Sequence, residues 1–173
     1  MDNDRFTKLV DRCFEKELDK IIYNASWEHA LILFKHLFKA ALKYDDKNIR
    51  IVSGHLTREF YRELVEEVRA CLEKGVHVEV LVTEPKADIE DNEFVRVVRA
   101  SPNGTVLVSR KPLSTSHFIV VGEKRFRLEE DHKQCKAVAC FKNQDIAKSL
   151  IDVFNLIKKA VSNHSTDAAP ACR

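Results

Sequence analysis

Residues 47–82 read KNIRIVSGHLTREFYRELVEEVRACLEKGVHVEVLV and contain the clearest structural pattern of the chain. A run of β-branched residues ends at Gly54, and a helical stripe follows between an expected N-cap at Thr57 and a C-terminal signal at Gly75. A second Val-rich run then stops at Pro85. A strand, a helix and a strand within about 35 residues predict a right-handed parallel βαβ unit.

Periodic segments on both sides of this unit extend the prediction to the whole chain. Two apolar helices are expected within residues 1–45, and a helix, four strands and a closing helix are expected after residue 90. The fold class is therefore α/β, with a mixed sheet of about six strands, helices on both faces and two N-terminal helices. We expect one domain over residues 1–161, with leading helices in 1–45 and the sheet in 46–161. Residues 162–173 are predicted to be a disordered tail.

Composition limits the class of protein. The chain has 173 residues, of which 45% are hydrophobic and 32% charged, which is enough for the core of one domain. No window resembles a membrane span, and the charged N-terminus does not resemble a secretion signal. Five scattered cysteines are typical of reduced thiols. These features predict a cytoplasmic protein without a membrane partner.

Positive charge is concentrated in one part of the sequence. Residues 94–127 contain seven basic side chains and one acid, so this segment carries +6 within a chain of net charge +2. The rest of the chain is acidic. Such a block suggests a surface that faces an anionic partner. The alternative is that these residues lie on separate solvated faces.

Several segments together are similar to a known family. Residues 47–82 resemble the opening βαβ unit of a phospholipase D-like half-domain, and FIVVGEKRFRLEE at 118–130 resembles its motif hairpin. KAVACFKNQDIAKSLIDVFNLIKKA at 136–160 is similar to the last strand and closing helix. The resemblance spans roughly residues 30–160. It implies a homodimer, because small family members assemble one active site across a two-fold axis.

The family motif is H-x-K-x4-D, in which the histidine attacks phosphorus and the lysine holds phosphate oxygens. If His117 is the nucleophile, Ile119 and Lys124 stand at the other two positions. If the strand and turn are kept in register, Thr115 stands at the histidine, His117 at the lysine and Gly122 at the aspartate. We favour the second alignment. Both alignments break the motif, so we do not expect ordinary phosphodiester transfer.

The residues that remain could still bind an anion. Period-two alternation puts Arg125, Arg127 and Glu129 on one face of the return strand. Arg127 and Glu129 could pair with each other or fix His117, and an imidazolium beside a guanidinium could hold a phosphate. The alternative is an ordinary hairpin with a solvated outer face. Either interpretation is compatible with the sequence.

Two further groups of residues are candidates by position. Ser53 and His55 follow the first strand, at the end where open α/β sheets form their ligand crevice, although an ordinary turn would look the same. Arg110 and Lys111 precede the motif hairpin and are candidates for phosphate contacts. No metal or other cofactor is predicted, because His132, Cys135 and Cys140 match no zinc-binding spacing.

The predicted function is therefore that of a catalytically degenerate phospholipase D-like domain. It would bind a phosphate-bearing ligand as a homodimer, with nucleic acid as the favoured class. One alternative is a divergent phosphodiesterase or nuclease in which His117 acts. A further alternative is a protein-interaction adaptor, for which the basic residues would be scattered over the surface.

Overall fold

The computed structural model describes residues 2–84, 89–131, 134 and 136–163. Its elements in chain order are α1 (Asn3–Glu15), β1 (Ile22–Asn24), α2 (Trp27–Lys43), β2 (Asn48–Ser53), α3 (Arg58–Arg62), α4 (Val65–Glu73), β3 (His77–Val82), α5 (Glu93–Ala100), β4 (Gly104–Val108), β5 (Phe118–Val121), β6 (Arg125–Asp131), β7 (Lys136–Cys140) and α6 (Gln144–Asn163). The predicted α/β fold with a mixed sheet is confirmed. Within the described ranges, no helix is long and apolar enough to cross a membrane.

The βαβ unit forms as its sequence pattern predicts. β2 and β3 pair in parallel from Asn48 opposite His77 to Ser53 opposite Val82, and β4 extends the parallel half beyond β3. The connecting helix differs from the prediction, because it is divided into α3 and α4. Thr57 precedes α3 but its side chain makes no capping hydrogen bond.

The other half of the sheet is antiparallel and has one strand more than predicted. β5 pairs with β2, and the strand order is β1-β7-β6-β5-β2-β3-β4. The extra strand is β1, which lies within residues 1–45, where only two helices were predicted. It pairs with β7, with Ile22 opposite Ala139 and Asn24 opposite Ala137. A strand of three residues at the edge is too short to show an alternating pattern.

Helices cover both faces of the sheet, as predicted. One face packs against the first five helices, and its core includes Ile51, Val80 and Ile119. The opposite face, which carries Val52, Phe118 and Phe126, packs against α6. Residues that alternate along β2 and β5 therefore belong to two different cores. The position of a polar side chain along β2 or β5 therefore decides whether it points to the α1–α5 side or to the α6 side of the sheet.

The two leading helices pack within the chain. α2 lies against β2, β5 and β6, and α1 lies against α2. The Tyr44 hydroxyl, just after α2, donates to the Phe14 carbonyl at the end of α1 at 2.6 Å. Ser26 caps α2, since its hydroxyl accepts from the His29 N–H at 3.2 Å. These helices supply much of the layer that covers the sheet.

Two further features concern the ends of helices. Asn92 caps α5: its side chain accepts from the Val95 N–H at 3.4 Å and also donates to the Leu56 carbonyl at 2.7 Å. The tail was predicted to begin at residue 162, whereas α6 continues to Asn163. The rest of that tail and Pro85 lie outside the described residues.

Candidate ligand-binding site

Four of the predicted site residues meet at one end of the sheet, where β2 ends and β5 begins. Ser53 is the last residue of β2, and His117 directly precedes β5. Arg127 and Glu129 lie beside them on β6, where the Glu129 N–H donates to the His117 carbonyl at 2.9 Å. Alternation directs all four side chains to the face that α2 and α3 cover, where they line one cavity.

Both ring nitrogens of His117 are engaged by the fold. The backbone N–H of Gly54 donates to Nε2 at 2.9 Å, so Nε2 is the unprotonated nitrogen. Nδ1 therefore carries the proton and donates it to Glu129 Oε2 at 3.0 Å. The ring approaches the backbone so closely that a Cβ at residue 54 would lie 2.8 Å from Nε2. Gly54 is required by this approach.

Arg127 is the buried cation of the site. Its side chain is 5% exposed, and one guanidinium nitrogen lies 3.8 Å from Glu129 Oε1. Nε donates to Asn24 Oδ1 at 3.3 Å, and the guanidinium carbon lies 5.6 Å from the centre of the Phe34 ring. Glu129 thus connects Arg127 to His117. The pairing of Arg127 with Glu129 was predicted from the sequence, but the contribution of Asn24 was not.

A cavity of about 170 Å³ opens over these polar groups, and we call it the aromatic cavity. Four aromatic side chains line it: Trp27, Phe34, Phe60 and Tyr61. The ring of Phe60 is central to one wall, with ring centres 5.7 Å from Trp27 and 5.1 Å from Phe34. Sequence reasoning missed this cavity. The sequence feature that could have indicated it is the apolar character of α2 on more than one side. Apolar residues of α2 that do not pack on the sheet are free to line a cavity.

The floor of the aromatic cavity is polar as well as apolar. Burial raises the pKa of Tyr61 to about 12, so its hydroxyl stays protonated at neutral pH. The nearby Ser53 side chain opposes the effect of burial on the Tyr61 pKa, and its hydroxyl donates to the His55 carbonyl at 2.5 Å. His55 itself is exposed and lies at the rim. The predicted pair of Ser53 and His55 therefore contributes one residue to the floor and one to the mouth.

Solved structures with a similar chain trace identify the fold. NucT from Helicobacter pylori superposes with a TM-score of 0.63 at 8% identity, covering 82% of this chain and 96% of that one. Nuc from Salmonella typhimurium, a phospholipase D family member, superposes with a TM-score of 0.55 at 12% identity, covering 82% and 93%. The chain has a phospholipase D-like fold.

A third similar structure is longer than this chain. TrmBL2, described as an archaeal chromatin protein with a novel mode of DNA binding, superposes with a TM-score of 0.58 at 11% identity. The match covers 88% of this chain and 56% of TrmBL2, so the chain spans about half of that protein. At such identities the likeness establishes the phospholipase D-like fold alone. No protein-family model matches the chain, and a search of curated proteins found no match.

Thr115, which the favoured alignment puts at the motif histidine of the phospholipase D-like fold, lies outside the aromatic cavity. It lines a second, more polar depression that we call the outer recess, whose residues are Ser114, Thr115, Ser116, His117, Glu129 and Glu130. His117 and Glu129 line both spaces and so separate them. The charged side chains of the outer recess are the two carboxylates, Glu129 and Glu130.

Arg110 and Lys111 are exposed in the loop between β4 and β5. The loop crosses the end of β3, because the Ser109 N–H donates to the Val82 carbonyl at 2.8 Å and the Leu113 N–H donates to the Thr83 carbonyl at 3.0 Å. Both basic residues therefore lie at the same end of the sheet as His117. They line neither the aromatic cavity nor the outer recess.

Arg125 shares a strand face with Arg127, as predicted, but it does not join the site. It lies opposite Val121, near the start of β2, and is 1% exposed. Asp46 and Glu17 form ion pairs with its guanidinium, which lies 4.3 Å from the centre of the Tyr44 ring. Burial raises the pKa of Asp46, and the neighbouring Arg125 opposes that effect. This part of the hairpin is buried beneath the leading helices, so it is not a solvated face.

The structure also shows how the basic segment is distributed. Two of its seven cations, Arg125 and Arg127, are buried. The other five are exposed on α5, on the loop after β4 and at the β5–β6 turn: Arg96, Arg99, Arg110, Lys111 and Lys124. The β5–β6 turn and the loop after β4 lie at opposite ends of the sheet. The segment therefore does not form one basic patch.

The described part of the chain contains no group of three or more side chains suited to a metal ion. Cys140 is buried in the core beneath α6, with its Sγ 3.7 Å from the Leu18 carbonyl. His132 and Cys135 lie outside the described residues. Burial raises the pKa of the Cys140 thiol, which disfavours the thiolate that a metal would require.

Proposed function

We propose that this chain is a non-catalytic binding domain with a phospholipase D-like fold and that its ligand carries phosphate, with nucleic acid as the favoured class. The observation that carries the proposal is the environment of His117, which shares the outer recess with the carboxylates of Glu129 and Glu130. Its Nε2 accepts a hydrogen bond from the Gly54 backbone, and its Nδ1 faces Glu129. A covalent mechanism would need the lone pair of Nε2 directed at phosphorus, and Gly54 already uses that lone pair.

The replaced motif position argues in the same direction. A threonine hydroxyl attacks phosphorus only with a base beside it. The groups that share the outer recess with Thr115 and could act as that base are the carboxylates of Glu129 and Glu130. Carboxylates at that place repel a phosphodiester. Transfer of a phosphoryl group also relies on cations that stabilise its equatorial oxygens. We infer that the outer recess does not perform this chemistry.

Binding is supported by what lies on either side of His117. Arg127 supplies hydrogen-bond donors at the floor of the aromatic cavity for a polar part of the ligand. Arg110 and Lys111 supply exposed positive charge for phosphate at the same end of the sheet. TrmBL2, with a similar fold, is described as showing a novel mode of DNA binding. We also propose a homodimer on the basis of the family resemblance. Sedimentation equilibrium would test it, and a monomer at all concentrations would contradict it.

A divergent nuclease is the second candidate, and the contact between His117 and Glu129 favours it. A carboxylate that accepts from Nδ1 orients an imidazole and is a common feature of catalytic histidines. In this interpretation Nε2 would have to leave Gly54 when substrate binds. Cleavage of DNA or RNA that disappears in His117→Ala would establish the nuclease and overturn the non-catalytic proposal.

Fluorescence anisotropy with labelled single-stranded DNA and RNA tests binding, and the same samples on a gel test cleavage with and without EDTA. With about three phosphate contacts, raising salt from about 50 mM to about 200 mM should lower affinity for a single strand roughly 20-fold. The double substitution of Arg110 and Lys111 by alanine should weaken binding. Lys124→Ala, at the opposite end of the sheet, is the matched control. No binding at low salt would refute the phosphate ligand and favour a protein-interaction adaptor.

A further inference from the structure

We infer that the aromatic cavity binds the planar ring of a nucleobase while the phosphate of the ligand stays outside, a refinement that rests on the proposed function. The cavity has a closed floor and an open mouth. Phe34, Tyr61 and Arg127 on its floor are buried, whereas Trp27 is 41% exposed and Thr57 is exposed at the mouth. A ligand can therefore enter from solvent and reach buried polar groups.

The size of the cavity suits one ring system. An engineered apolar cavity of about 150 Å³ binds benzene, and the aromatic cavity measures about 170 Å³. A single heterocycle fills such a space, which leaves no room in the cavity for the attached sugar and phosphate. The flat side chains of Trp27, Phe34 and Phe60 offer stacking surface, which is how proteins hold unpaired bases.

The charges of the floor favour a neutral, polar ring. Arg127 and Glu129 compensate each other at 3.8 Å, and His117 carries its single proton on Nδ1. A phosphate group inside the cavity would have to displace Glu129 from Arg127. A base instead presents donors and acceptors along one edge. The guanidinium, the carboxylate and the hydroxyls of Ser53 and Tyr61 offer both kinds of partner.

The base could come from a free nucleotide or from an unpaired position in a nucleic acid, and these sources share the same chemistry. A duplex keeps its bases stacked and should not enter the cavity. An abasic oligonucleotide carries the same phosphates without the rings. Comparing a mononucleotide, a single strand, its abasic counterpart and a duplex therefore separates recognition of the base from recognition of the backbone.

Intrinsic fluorescence gives a direct readout, because Trp27 is the single tryptophan of the chain and lies in the cavity wall. We expect saturable quenching by nucleosides, mononucleotides or single strands, and none by inorganic phosphate or the abasic strand. Ala30→Phe should fill the cavity, and Thr57→Phe should obstruct its mouth from an exposed position that folding tolerates. Each should weaken binding at least tenfold. Thr105→Phe, on the edge strand β4, is the matched control and should bind normally.

The outcomes distinguish the two proposals. Equal affinity in folded Thr57→Phe and Thr105→Phe would overturn the base site. So would the absence of saturable quenching by every probe that contains a base. If nucleic acid still bound in the anisotropy assay, with the abasic strand as tight as the intact one, the phosphate-binding function would stand without the base site. If nucleosides bound and added phosphate groups contributed nothing, the base site would stand and the phosphate-binding function would fall.

Discussion

Replacing Gly54 by alanine tests the geometry around His117. The new Cβ would lie 2.8 Å from Nε2 and 3.0 Å from Cε1 of the imidazole, well inside the usual contact distance of about 3.5–4.0 Å for carbon atoms. The backbone itself is no obstacle, since Gly54 is not one of the residues with a positive φ angle. The ring of His117 must therefore move and give up the hydrogen bond from residue 54.

The expected cost follows from three contributions. Losing the hydrogen bond costs about 0.5–1.5 kcal/mol, and holding the ring off its preferred rotamer costs about 0.5–1.5 kcal/mol. Restricting the unfolded chain by replacing glycine returns roughly 0.4–1 kcal/mol. We expect a net loss of about 1 kcal/mol of unfolding free energy, equivalent to about 2–4 °C in Tm for a chain of this size.

A double-mutant cycle in urea separates this mechanism from a general effect of the substitution. In the His117→Ala background the ring is absent, and the nearest remaining atom is Glu84 Cγ at 3.4 Å, an ordinary contact. There Gly54→Ala should be neutral or stabilise by about 0.4–1 kcal/mol. An equal loss of stability in both backgrounds would refute the reasoning. In the wild type, ¹⁵N NMR should also show His117 with its proton on Nδ1.

Three further predictions concern buried groups away from the cavity. Arg125→Ala leaves Asp46 and Glu17 without their cation and should lower the unfolding free energy by about 3–5 kcal/mol in urea titrations; no loss would show that the pairs are solvated. Burial lowers the pKa of His29 below its ordinary value of 6.5. The contribution of neutral His29 to stability is therefore complete above pH 6.5 and is lost as the pH falls through the lowered pKa. His29→Phe should therefore lose less stability than wild type between pH 7.5 and pH 5, and an identical loss would contradict this. Burial raises the pKa of Cys71 to about 12, so mass mapping should find it unmodified by a thiol reagent at pH 8 until the chain unfolds, and rapid native labelling would contradict its burial.

Sequence reasoning recovered the fold because its evidence is local. The βαβ unit appears as a change of period within residues 47–82, and the later strands appear as short apolar runs. β1 lacked that signal, because its three residues are defined by pairing with β7, more than a hundred residues away. The break between α3 and α4 was also missed, since the apolar stripe continues through it.

The site was harder to predict because its parts are distant in sequence. Alternation correctly put Arg125 and Arg127 on one face, but the sequence could not show that Asp46 and Glu17, 79 and 108 residues from Arg125, neutralise it. The aromatic cavity combines Trp27 of α2 with Phe60 of α3 in the same way. Residues of one strand can thus have different roles according to which segments pack above them.

Magnitudes decide what the environment of His117 means for catalysis. Releasing Nε2 from Gly54 costs about 1 kcal/mol, which would slow a reaction only about fivefold. The hydrogen bond alone is therefore too weak to abolish a phosphodiesterase. The charges are the stronger argument, since a phosphate approaching Nε2 through the outer recess would meet Glu129 and Glu130. A phosphoryl transition state requires preorganised positive charge, and Arg127 already neutralises part of Glu129 behind the ring. The arrangement that would oppose phosphoryl chemistry in our proposal also leaves a nearly neutral wall, which suits a cavity for a planar ring.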